Sequence, residues 1–203
     1  MTVPFPGSAS YWQSRYVCGG NSGVGSYSVF AEFKAEVLNS FVAEHEIRSV
    51  IEFGCGDGNQ LSLAAYPEYL GFDVSEAAVD QCRERFQHDT TKAFMLADQY
   101  AGERAELALS LDVIYHLVED DVFDAYMRRL FGAATRYVGI YSSNRHDTGD
   151  TAPHVRHRRF TDWTAEHAIA WRPLRRIPNR YPYRGDYRTG SWSEFFFYEV
   201  ATQ

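Results

Sequence analysis

Three carboxylates and a run of glycines hold the most specific chemistry in this 203-residue sequence. Gly54, Gly56 and Gly58 stand in Val50-Ile-Glu-Phe-Gly-Cys-Gly-Asp-Gly-Asn-Gln60, between a strand-like run and a helix-like one. Glycines there permit a tight turn and let the backbone come close to a ligand. A dinucleotide fingerprint reads G-x-G-x-x-G, with pyrophosphate on the helix N-terminus. Here the spacing is G-x-G-x-G, and Asn59 takes the place of the third glycine. Glu52, inside the strand end, would repel a diphosphate and suits a cationic or amine-bearing ligand. Asp73, nineteen residues after Gly54, ends the second strand, where a carboxylate can accept two hydrogen bonds from vicinal ribose hydroxyls. Asp98, with Gln99 beside it, ends the third strand and is placed to meet an adenine amine. One such acid alone would read as a solvated cap. Three at successive strand ends, beside a glycine loop, read as one cradle.

Two further strand ends offer acid–base groups. The fourth strand closes at Leu111-Asp112, with Tyr115 and His116 one turn on; the fifth closes at Tyr141-Ser-Ser-Asn144, with His146 after it. Histidine titrates near ~6.5 when unperturbed, which suits proton removal from a hydroxyl. His146 is the favoured base and His116 the second, although His116 reads equally as a core histidine bonded to backbone. Asp112, Asn144 and His146 also offer a mixed oxygen and nitrogen set for Mg2+, which would orient and acidify a hydroxyl; their spacing is not diagnostic. Tyr11, Trp12, Tyr16, Tyr115, Trp163, Tyr181 and Tyr183 could supply ring faces, and Arg15, Arg156, Arg158 and Arg180 hydrogen-bond donors, for a polar ligand. Rings also dominate ordinary cores, and Trp163 is expected there. His154 and His157 read as loop residues.

The elements that must position these groups alternate. Phe30, Phe33, Val37, Phe41 and Val42 recur at helical spacing. Strands are expected at 48–53, 69–73, 93–97, 105–111 and 136–141, the fourth nearly all apolar as in a strand buried on both faces. Between them lie a short helix at 61–65 ended by Pro67, a helix capped by Ser75, and an amphipathic one from Glu119 to Phe131 with Val122, Phe123, Tyr126 and Leu130 on its apolar face. Alternation of this kind predicts a parallel sheet covered on both sides. Residues 143–160 read as loop, and Thr161 as the N-cap of a short helix. Strands near 169–177 and 194–200, with no long helix between, predict an antiparallel hairpin. Gly19, Gly20, Gly23 and Gly25 follow Tyr11-Trp-Gln-Ser-Arg-Tyr and suggest a mobile lid, with Asn21 and Ser22 in it.

Composition narrows the class. A net charge of −7 argues against a nucleic-acid binder. Residues 145–203 carry 10 Arg, no Lys and 7 acids, against 10 basic and 20 acidic residues before them. That basic segment is either a plain surface or a seat for something polar or anionic, arginine favouring forked hydrogen bonds. Three scattered cysteines, no leader signature at the N-terminus and no apolar run near ~20 residues predict a reduced, cytoplasmic chain without membrane insertion. A single domain is expected: lid and helix over 1–46, cofactor core over 47–142, substrate-side loop and hairpin over 143–203.

Ile51-Glu-Phe-Gly-Cys-Gly-Asp-Gly58, Gly71-Phe-Asp-Val-Ser75, Ala97-Asp98 and Ser110-Leu-Asp-Val-Ile-Tyr-His116 resemble the class I S-adenosylmethionine-dependent methyltransferases. The resemblance covers about residues 47 to 142. It implies a Rossmann-like α/β fold with a seven-stranded, mostly parallel sheet, helices on both faces and an antiparallel C-terminal strand. It places Gly54 to Gly58 under the methionine part of the cofactor and Asp73 on its ribose. With their neighbours these give the expected cofactor set: Glu52, Gly54, Cys55, Gly56, Asn59, Asp73, Val74, Ser75, Asp98, Gln99, Asp112, Val113 and Ile114. Tyr11 to Tyr16 with Gly19 to Gly23, and His154 to Trp163 with Pro178 to Pro182, are similar to bacterial sugar O-methyltransferases such as the mycobacterial methylmannoside enzymes. That narrower likeness implies a small-molecule or oligosaccharide acceptor on Tyr11, Trp12, Arg15, Asn21, Ser22, His154, Arg156 and Tyr181, and leaves a homodimer open. N- or carboxyl-methylation of another small molecule and a non-catalytic binding module are the competing readings.

Overall fold

Side-chain alternation along the strands decides the architecture. The computed structural model describes residues 4–149 and 151–201; residues 1–3, on which the N-terminal leader expectation partly rests, lie outside them. Leu107, Leu109 and Leu111 of β4 (Ala105–Leu111) pack with Phe33, Leu38 and Phe41 of α2 (Ser28–Glu44) on one face of the sheet. Ala108, between them, joins Phe123, Met127 and Leu130 of α4 (Asp120–Ala133) on the other. Strands β1 (Ser49–Phe53), β2 (Glu68–Asp73), β3 (Lys92–Leu96) and β5 (Ala134–Ser142) complete the parallel part. Strands β6 (Trp171–Ile177) and β7 (Glu194–Val200) form the antiparallel hairpin. The order is β3-β2-β1-β4-β5-β7-β6, with β5–β7 and β6–β7 antiparallel. This is the Rossmann-like seven-stranded sheet expected above.

The chain order turns back between β1 and β4, and the crevice at their carboxyl ends is where open α/β sheets bind ligands. Four features depart from the sequence reading. Residues Ser8–Val17 form a helix, α1, which aromatic and polar residues without strong periodicity had concealed. Its start is clamped to α4: the Ser8 amide and hydroxyl donate to Glu119 at 2.9 and 2.5 Å. Residues Leu61–Leu63 make only a single 3-10 turn. Helix α5 (Phe160–His167) starts before Thr161, whose amide and hydroxyl bond Asn144 instead of capping. Trp163 is half-buried at the core's edge, with its indole N–H on Asp124 at 2.8 Å. Helix α3 (Glu76–Arg85) is capped as expected, Ser75 Oγ accepting from the Ala78 amide. Among the described residues no helix is long and apolar enough to cross a membrane.

Candidate functional site

The glycine loop is shaped by conformations that only glycine adopts cheaply. Gly54, Gly56 and Gly58 have φ of 88°, 58° and 73°. A Cβ on Gly54 would lie 2.4 Å from Val113 Cγ2, and one on Gly56 would lie 2.3 Å from Ser22 Oγ. The bend is tied to Asp73, whose carboxylate accepts from the Gly56 amide and the Ser75 amide, both at 2.9 Å. Burial raises the Asp73 pKa and these amide bonds oppose it. Asp73 thus anchors the loop as well as lining the cavity beside it, an anchoring duty that the sequence did not reveal.

The bend and strand ends wall a cavity of about 320 Å³. Glu52 lies in it, buried, accepting from the Tyr69 hydroxyl at 2.7 Å. Desolvation pushes its carboxyl up to about 7, although the Tyr69 hydroxyl and the Lys34 ammonium draw it down. A carboxyl so strained by burial regains its charge when a cation arrives. Val74 and Val122 also line the cavity, and they are 37% and 40% exposed. Val122 therefore leaves the apolar face assigned to α4 and serves as ligand wall.

The glycine-rich segment sits docked on this loop. The Ser22 amide donates to Asp57 at 2.9 Å and the Asp57 amide to Ser22 Oγ at 3.0 Å. The Tyr27 hydroxyl reaches Asp57 at 2.8 Å, and Asn59 Nδ2 donates to the Ser26 carbonyl at 2.7 Å.

A second chamber of about 740 Å³ meets the first across Trp12, Ser22, Asp112 and His116, which line both. Its further wall includes Tyr115, Tyr141, Ser143, His154, His157, Tyr183 and Trp192. Asp112 is the hinge of the junction. Its φ is 59°, a left-handed conformation that costs a non-glycine residue about 1–3 kcal/mol. Surroundings fix it: Lys34 Nζ donates at 2.8 Å, and the Tyr115 and Ser193 hydroxyls donate at 2.9 Å. Lys34 is fully buried on α2 and lies 5.2 Å from the centre of the Tyr141 ring. Sequence reasoning missed it. The available signal was a lysine inside the apolar run Phe30 to Phe41.

His116 has a fixed tautomer. Its Nδ1 lies 2.9 Å from the His154 carbonyl oxygen; a carbonyl only accepts, so Nδ1 carries the proton and Nε2 remains the acceptor. Burial lowers its pKa to about 4, the His154 carbonyl opposing. Tyr11 stacks on His154 at 4.4 Å, and His154 on His116 at 5.5 Å.

Of the expected cofactor residues, the structure gathers Glu52, Gly54, Cys55, Gly56, Asp73, Val74, Asp112 and Val113 around the first cavity. The others fall elsewhere. Asn59 holds the docked segment, Ser75 caps α3, and Ile114 is fully buried in the core. Asp98 is exposed outside the lining, and Gln99 turns back onto the Leu96 amide at 3.1 Å. On the acceptor side Trp12, Arg15, Ser22 and His154 line the second chamber. Tyr11 braces His154 from behind, Asn21 holds the Gly23 amide, Arg156 binds the Val118 carbonyl and Asp120, and Tyr181 packs on Phe30. His146 is exposed and lines neither cavity. The Mg2+ set is not assembled: Lys34 neutralises Asp112, Asn144 bonds Thr161, and His146 stands in solvent. Among the described residues no group of three or more His, Cys, Asp or Glu side chains could hold a metal. Burial keeps the Tyr115 phenol protonated, so it donates to Asp112 and takes no proton.

Residues 50–135 match the family described as a methyltransferase domain. Among solved structures the chain is similar to the N-methyltransferase NodS from Bradyrhizobium japonicum WM9 with S-adenosyl-L-homocysteine, at 12% identity and TM-score 0.72, over 96% of this chain and 99% of that one. It is also similar to magnesium protoporphyrin IX methyltransferase from Synechocystis PCC 6803 with bound S-adenosylmethionine, at 16% identity and TM-score 0.68, over 98% and 100%. A third likeness is to the methyltransferase domain of bacterial CtHen1, at 17% identity and TM-score 0.64, over 83% and 97%. At these identities the likeness is one of fold. A search of curated proteins returns no match. The fold and the methyltransferase domain matched over residues 50–135 support a Rossmann-like, S-adenosylmethionine-dependent methyltransferase. The residues fit that cofactor: its cation would face buried Glu52, its ribose hydroxyls would meet Asp73, and the backbone at Gly54 and Gly56 leaves room that a Cβ would fill.

Proposed function

We propose that the chain methylates a hydroxyl of a sugar or glycoside, with His116 taking the proton. The cofactor, when bound, supplies an electrophilic methyl group. Everything else falls to the protein, which must align the hydroxyl in line and accept its proton. The observation that carries this reading is the junction: His116 lines both cavities, bonded through Nδ1 so that only Nε2 can accept. A pKa of about 4 keeps this base neutral at pH 7. Trp12, Tyr183 and Trp192 offer ring faces to a pyranose, and Ser143, Ser191 and Thr148 offer hydroxyl partners. Asp112, already bonded by two hydroxyls and an ammonium, orients the junction.

Transfer of labelled methyl to a panel of saccharides and glycosides tests this. Turnover of a saccharide by the wild type, its loss in His116→Gln and its retention in His146→Gln are expected. Turnover of amines or carboxylic acids alone would end the sugar reading.

A further inference from the structure

We infer that the acceptor carries an oxyanion, a carboxylate or a phosphate, seated on Arg145 in the second chamber. This rests on reading that chamber as the acceptor site. The basic C-terminal third supplies the argument by elimination. Of its ten arginines, seven are ion-paired: Arg156 and Arg158 to Asp120, Arg159 to Asp162, Arg172 to Glu199, Arg175 to Glu44, Arg176 to Glu194 and Arg180 to Glu36. Most of the positive charge seen in the sequence is thus spent on the surface. Arg145 differs. It lines the chamber, half-buried, with its guanidinium 4.3 Å from the centre of the Trp192 ring. Among the described residues no carboxylate or carbonyl accepts from it, so its forked N–H donors remain unspent.

The rest of the chamber does not neutralise that charge. Its one carboxylate, Asp112, is matched by Lys34. Arg15, at the end shared with Trp12, adds a second cation and gives its Nε–H to the Asn21 carbonyl at 2.7 Å. Burial lowers the pKa of both His154 and His157, with Arg15 and Arg145 adding to the respective shifts; Asp147, exposed nearby, opposes that on His157. A chamber with two guanidinium groups and no free carboxylate disfavours cationic ligands and gains by accepting an anion. A planar fork stacked on an indole holds a carboxylate or phosphate in two parallel bonds at small entropic cost.

Saturation-transfer NMR on the protein saturated with S-adenosylhomocysteine tests this with glucose, glucuronate and glucose 6-phosphate. At least one acid is expected to bind tenfold or more tighter than glucose, and the tighter of the two identifies the oxyanion. Arg145→Gln abolishes that preference, while Arg145→Lys keeps part of it. Equal binding of all three, no detectable binding of either acid, or a preference unchanged in Arg145→Gln overturns the inference. A preference for the acids without methyl transfer to any saccharide leaves the anion seat standing and removes the sugar hydroxyl as acceptor. Methyl transfer to neutral glycosides with no acid preference does the reverse.

Discussion

The two cavities are built by opposite means. The first is made of backbone: three glycines with positive φ, two amides on Asp73, and strand ends fixed by the sheet. Its charged wall sets Glu52, Asp73 and Asp112 beside Lys34 and Arg129. The second is made of side chains from α1, the 143–157 loop and the turns before β7, and its charge comes from arginine. One cavity suits a nucleoside bearing a positive sulfur, the other a polar acceptor. Asp112, paired with Lys34, forms the neutral partition between them.

Removing the partition gives the largest expected effect. Lys34→Met leaves Asp112 without its cation in a dry site, where breaking a buried pair costs about 3–5 kcal/mol. Chemical denaturation is expected to show that loss, and Lys34→Met with Asp112→Leu to recover much of it. A loss below about 1 kcal/mol in the single variant would show the pair to be solvated and the two cavities continuous.

Next comes the anchor of the first cavity. Asp73→Ala removes the acceptor for two amides and for the ribose, and charged hydrogen bonds are worth about 1.5–3 kcal/mol each. Calorimetry is expected to show S-adenosylmethionine affinity falling by about a hundredfold or more. Asp98→Ala, on an exposed carboxylate outside the cavity, changes it by less than about threefold. Similar losses from both would mean that the bound cofactor reaches past the lining residues.

At the junction the expected effect is on rate. His116→Gln is expected to lower kcat by about a hundredfold with KM for the cofactor held, the usual scale for a lost general base. His146→Gln leaves both within about twofold, because that ring lies in solvent. The reverse ranking would move the base to the outer loop and empty the junction of its role.

The same contrast sets what could be read from the sequence. The centre of the sheet was legible because its strands carry short apolar runs between turn signals, and β4 runs Ala105–Leu111 as expected; β6, with three arginines, has no such run. Gly54 to Gly58, Glu52 and Asp73 were legible because backbone cavities are coded locally, by contiguous residues with fixed spacing. Asp98 and Gln99 misled because a strand end gives a position without a side-chain direction. Lys34 and Arg145 were invisible as site residues, since what distinguishes them lies far along the chain: Asp112 for Lys34, 78 residues on, and the Trp192 ring for Arg145. His146 was preferred over His116 on sequence position, whereas burial and the His154 carbonyl decide which imidazole is held.

The smallest expected effect is a pH dependence that belongs to the first cavity alone. Glu52 is held at about 7 by burial, against roughly 4.3 in an unfolded chain. Between those values the folded state binds more protons than the unfolded one, so this group makes the ligand-free protein less stable as pH rises from about 4.3 towards 7. Cofactor binding runs the other way, because only the ionised carboxylate attracts the sulfonium and amine charges. S-adenosylmethionine is therefore expected to bind several-fold tighter at pH 8 than at pH 6, with the inflection near 7. Glu52→Gln is expected to flatten both curves, weakening affinity at pH 8 far more than at pH 6. S-adenosylhomocysteine lacks the positive sulfur, so its affinity follows pH less steeply. An identical slope for the two ligands would show that Glu52 senses the shared amine and not the sulfonium, which would place the sulfur nearer Asp112 and the partition.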